Sequence, residues 1–151
     1  MSIAIDAAIP LVKHFEGLYL KAYRCPAGVL TIGYGNTKSV STGDVITTAV
    51  ANALLERDLA EAEADVDELV NIDLTPTEKA ALISFVFNLG AHALKSSTLL
   101  RELSAGNRSN VAANFAMWNK ARVGKRMVAL PGLTLRRRAE AALFLTGNFS
   151  E

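Results

Sequence analysis

The chain has 151 residues, half of them hydrophobic and 21% charged; that suits one domain with a real core and excludes a disordered chain. Its single cysteine excludes an intramolecular disulfide and any metal site built from several cysteines. The net charge of +1 is unevenly spread: residues 1–75 hold 5 Lys/Arg against 11 Asp/Glu, and residues 76–151 hold 11 against 4.

A basic half points to a polyanion such as nucleic acid, anionic lipid or an acidic wall polymer; on charge alone, two solvated faces of opposite sign are the simpler reading. His14 and His92 stand far apart without metal-ligand spacing, so no metal and no cofactor is expected. The opening "MSIAIDAAIPLVKHFEG" lacks a basic leader, and Asp6 and Pro10 interrupt its apolar run. No run approaches the roughly 18 apolar residues of a membrane span.

In chain order, residues 3–15 have helical spacing, with Ile3, Ala7, Leu11 and Phe15 on one stripe and Gly17 as the C-cap. Glu16 then stands at the C-terminal end of that helix. "LKAYR" and "VLTIGY" read as strands joined by "CPAG", a type I turn with Cys25 first, Pro26 second and Gly28 last. Alternation along the second strand puts Leu30, Ile32 and Tyr34 toward the core and leaves Thr31 on the opposite face. "GNTKSVSTGD" is a loop.

From Thr47 the pattern is a long helix with acids outward, able to bridge two lobes. Thr75, Pro76 and Glu78 form the signature of a capped helix start, and Gly90 closes that helix. "SSTLLRELSAG", "SNVAANFAMWN" and "TLRRRAEAALFLTG" read as further helices. The β segment is too small to stand alone and must lean on helices, so a ligand belongs in the cleft between the two parts.

Three side chains in the opening segment carry chemistry. The partial negative charge at a helix C-terminus disfavours a second anion, so Glu16 is placed to keep its proton and act as a general acid. Cutting a glycosidic bond needs such an acid and a second group across the sugar. Cys25 and Thr31, on the two sides of the hairpin, are placed to supply it. The residues alone leave plainer readings open: a surface glutamate, a packing thiol and a threonine chosen for β-propensity.

"FEGLYLKAYRCPAGVLTIGYGNT" resembles the catalytic segment of the phage-type lysozymes, the endolysins that cut bacterial peptidoglycan. The matching residues are Glu16, Gly17, Leu20, Tyr23, Cys25, Thr31, Ile32, Gly33, Tyr34 and Gly35. "LTPTEKAALISFVFNLG", "STLLRELSAGN", "WNKA" and "LPGLTLRRRAEAALF" extend the similarity over nearly the whole chain. The resemblance implies an α+β, lysozyme-like fold. Its N-terminal helix and β lobe would span about 1–46, a linking helix about 47–70 and a helical lobe about 71–151.

It also implies hydrolysis of the β-1,4 bond between N-acetylmuramic acid and N-acetylglucosamine. Glu16 is implied as the acid, and Cys25 and Thr31 as the residues that hold water, which places the chain in a Glu/Cys/Thr subgroup. Tyr34, Gly35 and Asn36 are implied to contact substrate. An arginine pairing with the acid is implied at Arg136, with Arg137 and Arg138 as alternatives. The larger subgroup has Asp at the Cys25 position, and the usual His after the TIGYG string is Asn36 here.

The expected partner is the peptidoglycan glycan strand, without nucleic acid or stable membrane insertion, for a monomer. It would wait in the host cytoplasm until a holin gives access to the wall, although some relatives carry their own export segment. An inactive wall-binding protein of the same fold is the main rival. A nucleic-acid-binding helical module is the other, resting only on "RRR" and "GKRM".

Overall fold

The first helix, α1 (Ile3–Glu16), begins where the Ser2 hydroxyl accepts from the Ile5 N–H at 3.0 Å. This computed structural model describes residues 2–149; Met1, Ser150 and Glu151, which the expected domain bounds include, lie outside the described residues. The helix runs unbroken through Pro10, which is exposed, so the missing N–H falls on the solvent side. The buried stripe is Ala4, Ile5, Ala8, Leu11 and Val12. The expected stripe began one residue early: Ile3 is 72% exposed. Ala4 and Ala8 turn toward the core with Ile5, Leu11 and Val12, in place of Ile3. Gly17 ends the helix by donating its N–H to the Lys13 carbonyl at 3.0 Å.

Strands β1 (Tyr19–Arg24) and β2 (Leu30–Gly33) form an antiparallel hairpin pairing Tyr23 with Thr31 and Arg24 with Leu30. The turn closes as its sequence predicts, with the Gly28 N–H donating to the Cys25 carbonyl at 2.7 Å. The other edge of β1 is also used: Ala22 N–H donates to Asp44 and Ile46 N–H to Leu20, both at 2.9 Å. The expected division of β2 into a core face and an open face does not hold. Ile32 is buried as expected, but Thr31 is buried as well. Thr31 shares its face with its cross-strand partner Tyr23, and its hydroxyl is turned back onto the Val29 carbonyl at 2.9 Å.

The next helix, α2 (Thr48–Leu69), has 22 residues and spans about 33 Å at 1.5 Å per residue. Thr47 caps it, accepting from the Val50 N–H at 3.2 Å. Only one stripe is buried, Ala51, Leu55, Leu59, Ala62 and Val66, and the acids lie outside it. In α3 (Pro76–Leu89) the capping box of Thr75 and Glu78 is complete. Every residue from Ala80 to Val86 is buried because α1, α2 and α7 (Pro131–Thr146) all pack on this helix. It is the axis of the core, and truncating its fully buried Leu82 to Ala should cost about 2–5 kcal/mol.

Short helices α4 (Ala91–Lys95), α5 (Thr98–Ser104) and α6 (Val111–Ala116) lead to a feature the sequence did not reveal. Strands β3 (Lys120–Val123) and β4 (Arg126–Ala129) form a second antiparallel hairpin. Pairing of Val123 with Arg126 leaves a two-residue loop, Gly124-Lys125, with Gly124 at φ 64°. Its period-2 pattern is hidden under alternating cations, so "GKRM" reads as a charge patch. Helix α7 starts three residues before the expected Thr134, with Pro131 at its first position.

Candidate active site

Because Gly17 stops α1 where it does, Glu16 is the last helical residue, with a side chain 20% exposed. Its Oε2 accepts from Arg136 Nη1 at 2.5 Å. The chain then turns under this carboxylate at Gly35. A Cβ built on Gly35 would lie 2.6 Å from Glu16 Oε1, and φ there is 79°. Both facts demand glycine, since side chains rarely adopt that backbone and none fits beside the acid. Gly35 therefore makes room for Glu16, in addition to any contact with substrate.

Asn36 is buried, and its side chain serves the loop. Its Nδ2 donates to the Lys38 carbonyl at 3.1 Å, and its Oδ1 accepts from Arg57 Nη2 at 2.9 Å. These bonds give Asn36 a structural role, holding the loop to α2, beside the substrate contact expected of it. Lys38 adds ion pairs to Glu61 and Asp58 on the same helix. Tyr34 is half-buried, with Lys13 Nζ 5.0 Å from its ring centre. A cavity of about 310 Å³ opens beside Gly35, bounded by Lys38, Asp58, Glu61 and Phe87.

Cys25 sits half-buried at the start of the hairpin turn, its N–H donating to the Val29 carbonyl at 3.0 Å. Hydrogen bonding to the Val29 backbone holds the thiol below its ordinary value; desolvation opposes this, and the Ala27 backbone and the Thr31 hydroxyl assist. A thiol so placed ionises more readily than a free one. Tyr23, on β1, links the two halves of the site. Burial pushes its hydroxyl above the ordinary value, and the charges of Tyr19, Glu16 and Cys25 push it further. The acid and the thiol are both within electrostatic reach of this one phenol.

The three arginines of "RRR" part company. Arg136 reaches Glu16 and lies between the rings of Phe15 and Phe87, at 5.8 and 6.0 Å. Arg137 points into the core, donating to Asn88 Oδ1 at 2.9 Å and pairing with Glu140 at 2.7 Å. Arg138 lines a separate cavity with His14 and Phe149. The alternatives to Arg136 are thereby accounted for. Buried Ser84 and Glu140 went unremarked in the sequence, although the four-residue spacing of Arg136 and Glu140 is visible there.

Comparison with known proteins places this architecture. The model of the family described as phage lysozyme matches residues 13–140. The chain belongs to the phage lysozyme family. It is 44% identical to the endolysin of Acyrthosiphon pisum secondary endosymbiont phage 1, across 92% of this chain and 95% of that one. A SAR-endolysin of Bacteriophage PS119 is 35% identical, across 88% and 78%. Among solved structures, the muramidase domain of SpmX from Asticaccaulis excentricus superposes with a TM-score of 0.86 at 38% identity, covering 93% of this chain and 95% of that one. The fold is α+β and lysozyme-like, and the chain is a glycoside hydrolase of the lysozyme type. No helix among the described residues is long and apolar enough to cross a membrane.

Proposed function

We propose that this phage-lysozyme chain works as an endolysin, hydrolysing the β-1,4 bond between N-acetylmuramic acid and N-acetylglucosamine with Glu16 as general acid. Glu16 gives its proton to the leaving glycosidic oxygen. Cys25 and Thr31, on the hairpin, hold the water that attacks the sugar carbon, and the thiolate takes the proton that this water loses. The observation that supports the reading is Glu16 itself, which ends α1 with Arg136 on its Oε2 and Gly35 clearing the space at its Oε1. Assignment to the Glu/Cys/Thr subgroup follows from Glu16, Cys25 and Thr31.

Glu16→Gln keeps size and polarity but has no proton to deliver. Release of reducing ends from purified peptidoglycan should fall by about a hundred- to ten-thousand-fold, with thermal melting little changed. A folded variant near the native rate would refute the assignment. The rival of an inactive wall-binding protein requires the native chain itself to release none. Passage to the wall through a holin completes the reading. Expression with and without a hole-forming membrane protein tests it: lysis without one would favour the export route of a SAR-endolysin.

A further inference from the structure

Beyond the acid and its arginine, α7 buries a second carboxylate. Glu140 is fully buried and so cannot touch a substrate in the cleft. It is one turn along from Arg136, with Oε2 3.6 Å from Arg136 Nε. Ser84 on α3 joins them: its hydroxyl donates to Glu140 Oε2 at 2.6 Å, and Arg136 Nη2 lies 3.4 Å from it. On the far side Arg137 closes the group, its Nη2 donating to Glu140 Oε2 at 2.9 Å. Charges therefore alternate from the cleft inward: Glu16, Arg136, Glu140, Arg137.

We infer that Glu140 is a positioning residue for the catalytic acid. It holds the Arg136 guanidinium against Glu16 Oε2 and offsets its charge, and so sets the pH range over which the enzyme works. The inference rests on Glu16 being the general acid.

The physical need is plain. A guanidinium in contact with Glu16 favours the carboxylate, the form in which a general acid is spent. A second guanidinium behind it adds to that pull. A buried carboxylate between the two opposes both. It also gives the arginines a partner where an unpaired charge would be costly. Burial pushes the Glu140 carboxyl up, while Arg137 and Arg136 pull it back. Acidification therefore removes this counter-charge before an exposed glutamate would lose its own.

The other groups facing the pair are few. Around Glu16, β1 supplies Tyr23, and the last turn of α1 supplies Lys13 and His14. Around Glu140, α3 supplies only neutral Ser84 and, through Arg137, Asn88. Helix α6 packs on α7 with no titratable side chain.

The test is the pH profile of peptidoglycan hydrolysis, read beside melting and circular dichroism. In Glu140→Gln the alkaline limb, where the acid loses its proton, should move down by on the order of one pH unit. Glu140→Asp keeps the charge and should leave the limb in place, and Ser84→Ala should barely move it. If Glu140→Gln does not fold, the comparison moves to the Arg137→Met background, where one cation has already been removed. There Arg137→Met alone should raise the limb, and adding Glu140→Gln should lower it again. Lower activity or melting with an unmoved limb, in whichever pair folds, would make Glu140 a structural residue and overturn the inference. Glu16→Gln in the same series separates the two ideas: if it stays active, the acid assignment itself fails.

Discussion

The chain makes two hairpins of similar size, and they are used in opposite ways. The first, β1–β2, is gripped: β1 pairs on both edges, Thr31 and Ile32 are buried, and its turn carries a half-buried thiol. The second, β3–β4, stands in solvent, with Val123 and Met127 54% and 57% exposed. Among the described residues its Lys120, Arg122, Lys125 and Arg126 make no ion pair. A two-stranded ribbon is marginal in water unless something packs on it. On the proposed function, the packed hairpin is the one that carries the chemistry, and the exposed cations of the other would supply a field toward an acidic wall. Changes in the first hairpin should therefore alter the rate of the reaction, and changes in the second its dependence on salt.

The largest expected effect tests the first half of this contrast. Cys25→Ala should cost a hundred-fold or more in hydrolysis, the typical worth of a positioned base, while Cys25→Asp retains activity. A fully active, folded Ala variant would reduce the thiol to packing and make the two hairpins alike. Next comes Gly35→Ala. A methyl group 2.6 Å from Glu16 Oε1 must displace the acid, so kcat should fall roughly ten- to hundred-fold. Melting would fall too, since φ at that position is positive.

Alkylation of Cys25 supplies a pH test. The fold holds the thiol below its ordinary value, so the pH midpoint of the alkylation rate should lie under the roughly 8.5 of a free cysteine. Thr31→Val removes a hydroxyl that favours the thiolate, so the midpoint should move up. A midpoint unmoved by Thr31→Val would mean the two side chains are not coupled.

Smaller effects belong to the second hairpin. Replacing Lys120, Arg122, Lys125 and Arg126 together with Gln should leave kcat unchanged. KM at low salt should rise several-fold, and its salt dependence should flatten. A loss of kcat would instead put this hairpin in the catalytic machinery. Smallest is Gly124→Ala, which strains a turn residue at φ 64° and should cost about 1 kcal/mol locally, with little change in global melting.

Much of this was open to reading before any coordinates. Helix ends followed from local chemistry: Thr47, Thr75 with Glu78, Gly17 and Gly90 act at the positions their side chains and backbone preferences require, because capping involves only near neighbours in sequence. The Cys25–Gly28 turn is equally local. Because Gly17 ends α1, the sequence also determined that Glu16 stands at a helix terminus, and the resemblance supplied a use for it.

Tertiary structure decided what depends on distant neighbours. Periodicity put Ile3 on the buried stripe, whereas packing against α3 selected Ala4 and Ala8. Alternation left Thr31 on an open face, but the fold buries it beside Tyr23. That Asn36 is held by Arg57, 21 positions away, was not visible in the sequence. Nothing in "RRRAE" says that one arginine turns to Glu16, 120 residues earlier, while its neighbour and Glu140 sink into the core. Residues three and four apart share a helix face whatever their chemistry, so sequence gives the pairing on α7. Only the packing of α1 and α3 against that face decides whether the pair is solvated or becomes the buried charge behind Glu16.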